Sequence, residues 1–378
     1  MVNNQATSGL DSLTKGGSDG ILTLRVATTE HSSSSSADQR SGAWFEESSA
    51  HPKSENTVTY LEAITQALRD ELSCDPRVVL LGEDIGAMGG AFRVTRGLFE
   101  EFGEDRVIDT PMCEAGIVGM AIGLAVSGFR PIVELQFADF ISCAYDMLVN
   151  EAAKLHYRFG VSVPLVIRCP SGAGVGAGPF HSQSPEGVFS HIPGLKVVCP
   201  GTVQDAYGLL RAAVADSNPV LYFEHKALYR SLAEPLDPSL ESPGIGMAVV
   251  RRRGSRLTLI TYGSLLRTCI QVADEFAAQG TPVTVVDLRS LQPLDKASLV
   301  AAVAETGRAV IVHEDTLSCG IGAEVAAVLA ESAFFNLDAP IRRVAPPDCP
   351  VPTAKVLEEA FLPQIETIRG VVAECLNL

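Results

Sequence analysis

The chain has 378 residues, 46% of them hydrophobic and 20% charged, enough apolar surface for two or three domains of about 150 residues each. A formal net charge of −16 excludes a generic phosphate-backbone binder, which needs a basic face. The apolar stretch 115–129 falls short of the ~20 residues of a membrane span, and nine cysteines without CxxC spacing read as free thiols of a reducing compartment, a bacterial cytoplasm or an organelle matrix.

Residues 1–55 contain a five-serine run (Ser32 to Ser36) and no sustained periodicity, and are expected to form a disordered tail. The tail lacks the basic start and apolar block of a secretory signal, and its acidic residues argue against a transit peptide. Residues 21–26 and Trp44-Phe45 are its apolar islands, suited to docking on a partner.

Order is expected from Thr59, where Thr59 and Glu62 fit a capping box and Leu61, Ile64, Leu68 and Leu72 follow at helical spacing. Strand 77–81, strand 106–109, a small-residue helix from Glu114 to Ser127, strand 131–137 and helix 140–157 come next. Strand 164–168 leads into a glycine-rich loop, followed by strand 195–199, helix 203–215 and strand 220–224. Proline- and glycine-rich residues 233–254 form a linker. A second unit then has strands at 257–262, 283–288, 309–312 and 341–344 and helices at 264–278, 296–305, 322–332 and 353–369. Apolar strands separated by helices imply two three-layer α/β domains with parallel sheets, at 56–232 and 255–378.

The segment Gly172-Ala-Gly-Val-Gly-Ala-Gly178 resembles a dinucleotide loop only superficially, because Pro179 follows and no helix N-terminus is available for a pyrophosphate. His313-Glu-Asp315 reads as a strand-end loop, and no serine sits in a nucleophile elbow. Glu114 opens a helix that is otherwise uncharged through Phe129. As a bland reading it is an acidic residue favoured by the helix dipole; as a functional one it is a partly desolvated carboxylate able to meet a donor on a ligand. His181 follows the glycine loop at a strand end, where α/β sheets place their ligands. Phe140 on this basis is simple core.

Several strings together resemble one family. They are Leu81-Gly-Glu-Asp-Ile-Gly86, Asp109-Thr-Pro-Met-Cys-Glu-Ala-Gly-Ile-Val-Gly119, Gln136-Phe-Ala-Asp-Phe140, Val149-Asn-Glu-Ala-Ala-Lys154, His181-Ser-Gln-Ser-Pro-Glu186, Pro193-Gly-Leu-Lys-Val-Val198, Phe223-Glu-His-Lys226 and Asp287-Leu-Arg-Ser-Leu-Gln-Pro293. In order and wording they resemble the beta chain of the thiamine-diphosphate-dependent decarboxylase component of 2-oxoacid dehydrogenase complexes, over roughly residues 56 to 375. The branched-chain type is most similar around Glu114, Phe140 and His181; pyruvate and acetoin types share much of it. Cys143 stands where some pyruvate-type relatives carry a glutamine near the cofactor.

The resemblance implies a transketolase-like pyrimidine-binding domain, a transketolase C-terminal-like domain and an α2β2 heterotetramer. It implies that Glu114 hydrogen-bonds the cofactor's aminopyrimidine ring and drives its amino group toward the imino form, that Phe140 packs on the pyrimidine, and that His181 helps pass the acyl group to lipoamide on an acyltransferase partner. It also implies a structural potassium site at the carbonyls of Leu165, Ala213 and Val214 with Asp216 and Asn218. The superfamily's Gly-Asp-Gly segment, which carries the diphosphate and Mg²⁺, is absent from the sequence. That implies a separate alpha chain for this half of the site and no activity of the beta chain alone. The rival from another class is a non-catalytic α/β binding module, in which Glu114 only caps its helix.

Overall fold

The computed structural model describes residues 57–240 and 244–378; the tail read as disordered, with its apolar islands, lies outside the described residues. The first part of the chain contains β1 (Thr57–Thr59), α1 (Tyr60–Cys74), β2 (Val78–Gly82), α2 (Leu98–Phe102), β3 (Val107–Asp109), α3 (Glu114–Val126), β4 (Arg130–Glu134), α4 (Ala153–Phe159), β5 (Val166–Ser171), α5 (Glu186–Ser190), β6 (Lys196–Val198), α6 (Val203–Ala215), β7 (Val220–His225), α7 (Leu228–Ser231) and β8 (Ala233–Pro235). The second contains β9 (Val249–Arg252), β10 (Thr258–Thr261), α8 (Leu265–Ala278), β11 (Thr284–Asp287), β12 (Ser290–Gln292), α9 (Lys296–Thr306), β13 (Ala309–Val312), α10 (Ile321–Ser332), β14 (Arg342–Val344), α11 (Lys355–Phe361) and α12 (Ile365–Leu376).

Two large sheets organise most of these elements, and β1 pairs antiparallel with β8 in a two-stranded third. The larger runs β12-β6-β7-β5-β4-β2-β3, and the smaller runs β14-β13-β10-β11-β9. Their interior strands are parallel, as the βα rhythm predicts. β2, β5 and β7 are buried along their whole length, because helices cover both faces of the sheet. Period-two alternation then sorts the side chains. Val79 and Leu81 enter one apolar layer, and Val78 and Leu80 the opposite one under α1 and α6. The first of these layers also takes Ile260, Val286 and Ile311 of the second sheet, so the two halves share a continuous core. α1 starts at the capping box read in the sequence: Glu62 N–H donates to the Thr59 hydroxyl, and the Thr59 N–H donates to the Glu62 carboxylate at 2.7 Å.

Three local readings are corrected. The helix expected over 140–157 is three pieces: a 3₁₀ segment (Ala138–Ala144), a π segment (Met147–Ala152) and α4. The helix expected over 353–369 is broken between α11 and α12 at Pro363, which has no N–H to continue the ladder. The sheets are not wholly parallel, since β9 and β12 pair antiparallel with β11 and β6.

β12 belongs to the second half of the sequence but joins the first sheet. Arg289 sits at φ +56, turning the chain across, and its carbonyl accepts from Cys199 N–H at 2.7 Å. Its buried guanidinium donates to Asp205 on α6 at 2.9 Å. Arg251 of β9 bridges Asp205 and Asp287, so four charged side chains close the seam.

Candidate active site

The residues singled out in the sequence gather at the carboxyl edge of the larger sheet, where open parallel sheets bind ligands. Glu114 follows β3, Phe140 follows β4 and His181 follows β5; Glu83 after β2 and Lys226 after β7, which the sequence reading did not single out, stand on the same edge. The neighbouring strand ends are drawn together by hydrogen bonds. Thr110 N–H donates to Gly82 carbonyl at 2.9 Å, Gly86 N–H to Asp109 Oδ1 at 2.6 Å, and Gln136 Nε2 to Glu83 carbonyl at 2.7 Å.

Glu114 is the first residue of α3, half-buried, after a Cys113 N-cap that offers no side-chain hydrogen bond. The helix dipole therefore favours its charge without tying the carboxylate down. Burial raises the pKa of Glu83, and the charges of Glu114 and Asp84 raise it further. Past Glu114, α3 turns Ala115, Gly116, Met120 and Gly123 outward, and Met112 ahead of it is 82% exposed. The carboxylate thus stands at the rim of an exposed, small-residue apolar face.

Phe140 and His181 do meet. Their rings are edge-to-face with centroids 5.5 Å apart, and Phe137 lies 5.0 Å from His181 on the other contact. Phe137 in turn meets Phe92 edge-to-face, with centroids 5.3 Å apart, and carries the Lys226 ammonium 5.7 Å from its centroid. Lys226 is buried, and that burial lowers it to about 8 against the opposing pull of Asp139 and Glu314.

The loop that presents His181 is closed at its base by Gly172 N–H donating to Gln183 carbonyl at 3.0 Å, and Asp139 accepts Gln183 N–H at 3.1 Å. Further grips come from the second half of the chain. Glu314, just after β13, accepts from Ala173 N–H at 2.6 Å, Ser184 Oγ, Ser264 Oγ and His225 Nε2. Burial opposes its charge, yet His225 and these donors hold Glu314 at about 2. Beside it is a cavity of about 20 Å³, lined by Ser171, Glu186, His225, Tyr262 and Glu314 among others. That is roughly the room of a single water molecule.

Sequence reasoning assigned no role to Glu83, Lys226, Glu186, Glu314 or Glu358. Glu83, Glu186 and Lys226 lie within the family-like segments, and His313-Glu-Asp315 does lie at a strand end, but nothing in their spacing announced the loop they reach. The five residues expected to hold potassium converge at the carboxyl end of α6. There Arg130 donates to the Val214 and Asp216 carbonyls, and Lys196 pairs with the Asp216 carboxylate. Leu165 and Ala213 carbonyls accept from Val220 and Asp216 N–H groups.

The donor set fits the pyrimidine end of a thiamine cofactor, with a free-standing carboxylate and aromatic rings on one edge. It does not fit the diphosphate end. Glu83, Asp84 and Glu114 make that edge acidic, and among the described residues no group of three or more His, Cys, Asp or Glu side chains is arranged to hold a metal ion. All nine cysteines are unpaired, and among the described residues no helix is long and apolar enough to cross a membrane.

Residues 56–231 match the transketolase pyrimidine-binding domain, and residues 246–368 the transketolase C-terminal domain. The chain is 44% identical over 322 residues to the 2-oxoisovalerate dehydrogenase subunit beta of Bacillus subtilis (strain 168), covering 84% of this chain and 98% of that protein. It is 43% identical over 321 residues to the pyruvate dehydrogenase E1 component subunit beta of the same organism, covering 83% of this chain and 98% of that one. A solved structure titled "Split gene transketolase, inactive beta4 tetramer" superposes with a TM-score of 0.70 at 22% identity, over 85% of this chain and 99% of its own, a likeness of fold. The chain belongs to the family of E1 beta subunits of 2-oxoacid dehydrogenases, and its two domains are the pyrimidine-binding and C-terminal domains of the transketolase fold.

Proposed function

We propose that this chain is the beta subunit of a branched-chain 2-oxoacid dehydrogenase, a 3-methyl-2-oxobutanoate dehydrogenase. It would act with an alpha subunit in an α2β2 heterotetramer and pass its acyl product to a lipoyl acyltransferase. The observation that carries this reading is Glu114: a half-buried carboxylate at a helix N-terminus, on the ligand-binding edge, beside an exposed apolar face. Thiamine diphosphate, its pyrimidine end held by Glu114 and Phe140, would supply the nucleophile and electron sink that decarboxylation of a 2-oxoacid needs.

The chain's own residues have separate tasks. Glu114 would donate its carboxyl proton in a hydrogen bond to the ring nitrogen and so favour the imino form of the amino group. Phe140 would pack on the flat ring and keep water away. His181, fixed against Phe137 and Phe140, would hold or deliver a proton to the acyl oxygen during transfer to the lipoyl group. The alpha subunit would carry the diphosphate and Mg²⁺, since this edge repels phosphate.

A potassium ion would bind at the carbonyls of Leu165, Ala213 and Val214 with Asp216 and Asn218, sharing that ground with Arg130 and Lys196. A cytoplasmic setting suits the free thiols.

The pyruvate reading has the support of a pyruvate dehydrogenase relative at nearly equal identity. The test is reconstitution of the full chain with its alpha subunit, comparing kcat/KM for 3-methyl-2-oxobutanoate and pyruvate. At least a tenfold preference for the branched substrate is expected. A preference for pyruvate replaces the branched-chain assignment, and turnover by the beta chain alone removes the split site.

A further inference from the structure

The loop bearing His181 is built from glycines that cannot hold their own shape. Gly172, Gly174, Gly176 and Gly178 all have positive φ, between +71 and +88. The residues between them are Ala173, Val175 and Ala177, none with a polar side chain. Such a backbone has many conformations of similar energy, so something outside must select one.

The selector comes from the C-terminal domain. Glu358, on α11, is 3% exposed and aims its carboxylate into the loop. Oε1 accepts from Gly174 N–H at 2.9 Å and from Gly176 N–H at 3.2 Å, and Oε2 accepts from Gly176 N–H at 3.0 Å. Alternate N–H groups of a left-handed glycine run converge on one point, a concavity suited to an anion. Here the protein supplies the anion itself.

Apolar contacts seat the same segment. Ala173 is buried with Val351 and Phe361, and Leu362 packs against them. A Cβ on Gly178 would stand 2.5 Å from Thr353 Oγ1, so residues around 353 lie directly against the loop. Glu314 holds the start of the loop through Ala173 N–H, and Glu358 holds its middle.

We infer that Glu358 is a positioning residue for His181: by filling the glycine concavity from the C-terminal domain, it fixes the loop that sets the imidazole against Phe137 and Phe140. The inference rests on the proposed part of His181 in acyl transfer. It also gives the C-terminal domain a share in the reaction without contact with the reacting atoms. Nothing in the sequence spacing of Glu358 and the glycines, 182 to 184 residues apart, signals the contact.

The test uses the full chain assembled with its alpha subunit, as wild type, Glu358→Ala, Glu358→Gln and His181→Ala. Amide exchange over residues 172–183 and the kcat and KM of lipoyl acylation are read together. Glu358→Ala should speed exchange in the loop at least tenfold while α1 and α6 stay protected, and lower acylation kcat about tenfold with KM for the 2-oxoacid within twofold. Glu358→Gln keeps an oxygen for both N–H groups and should recover most of both effects. Unchanged loop exchange in Glu358→Ala, or equal losses in the Gln and Ala variants, overturns the inference. So does a loosened loop with full acylation where His181→Ala has lost it. If His181→Ala itself acylates normally, the reading of His181 fails and takes this inference with it.

Discussion

Glu314 and His225 meet at 2.8 Å, joining the loop after β13 to the last residue of β7. Ala227 N–H donates to His225 Nδ1, which leaves the Nε2 hydrogen for the carboxylate. One side chain from each sheet is thereby locked beneath the glycine loop. The site edge and the domain seam are consequently one mechanical unit, and changes at either should be felt at the other.

Glu114 allows the sharpest separation of a catalytic carboxylate from a helix cap. A glutamine keeps the shape and most of the capping but cannot exchange the proton. In the assembled enzyme Glu114→Gln should lower 2-oxoacid decarboxylation by about 10²- to 10⁴-fold, the usual range for losing a general acid–base group. Its thermal midpoint should barely move, because a dipole contribution at a helix start is about 1 kcal/mol or less. Near-normal decarboxylation would leave Glu114 as a cap and favour the non-catalytic binding module.

Much of this is legible in the amino-acid sequence. Buried strands announced themselves as unbroken apolar runs such as Val78 to Leu81, and Thr59 with Glu62 marked the first helix start. Glu114 was visible because a charge interrupts an apolar helix pattern. Lys226, Glu314 and Glu358 were not, because their partners lie far away in sequence: the Phe137 ring for Lys226, Ala173 N–H and the side chains of Ser184, Ser264 and His225 for Glu314, and for Glu358 the N–H groups of glycines, which carry no complementary side chain. The crossing of β12 was hidden for a similar reason: Arg289 turns at positive φ, a conformation its residue type does not advertise.

The seam also contains a carboxylate whose pH behaviour opposes that of Glu314. Glu186 is buried against Tyr262, whose hydroxyl donates to it at 2.9 Å. Burial first, and the charge of Asp315 second, push Glu186 up to about 8 from an ordinary 4.5. The folded state therefore binds a proton that the unfolded chain has released. Stability is fully present below the ordinary value and is lost as pH rises toward about 8. Glu314, held at about 2, gives stability above 4.5 that disappears only as pH falls below it. Melting between pH 5 and 8 should show a falling midpoint for the wild-type chain, to which the raised Glu224, Asp287 and Asp315 also contribute, and a shallower fall for Glu186→Gln. Parallel slopes in the two proteins would remove Glu186 as a source.

Potassium gives a prediction at the other end of the sheet. Arg130 occupies the Val214 and Asp216 carbonyls, and an ion at this point competes with or shares those oxygens. An ion that binds the folded state alone stabilises by RT ln(1 + [L]/Kd), about 2.7 kcal/mol at a hundredfold excess over Kd. KCl should raise the midpoint above equimolar NaCl, and Arg130→Ala, by freeing the carbonyls, should steepen that difference. Identical melting in the two salts for both proteins would take potassium out of the proposal.

Arg168 lies at the centre of the sheet with its guanidinium between Glu134 and Glu224, each at 2.5 Å, and all three side chains are almost fully buried. Burial first, and the charge of Glu134 after it, push Glu224 up to about 7 against the pull of Arg168. Replacing Arg168 by Met keeps the volume but leaves two buried carboxylates facing one another without a cation. Breaking such a pair from one side costs about 3–5 kcal/mol. Arg168→Met should therefore lose most of a typical domain's stability at neutral pH and regain part of it in mild acid, where Glu224 takes up a proton. Adding Glu134→Gln and Glu224→Gln to Arg168→Met should restore stability toward wild type and abolish the acid recovery, because no unpaired charge is left to neutralise. Denaturant unfolding of the three proteins at pH 5.5 and 7.5 reads both effects. If Arg168→Met alone is as stable as the wild-type chain at pH 7.5, the triad contributes nothing to holding β4, β5 and β7 together. Those strand ends would then depend on their apolar layers alone.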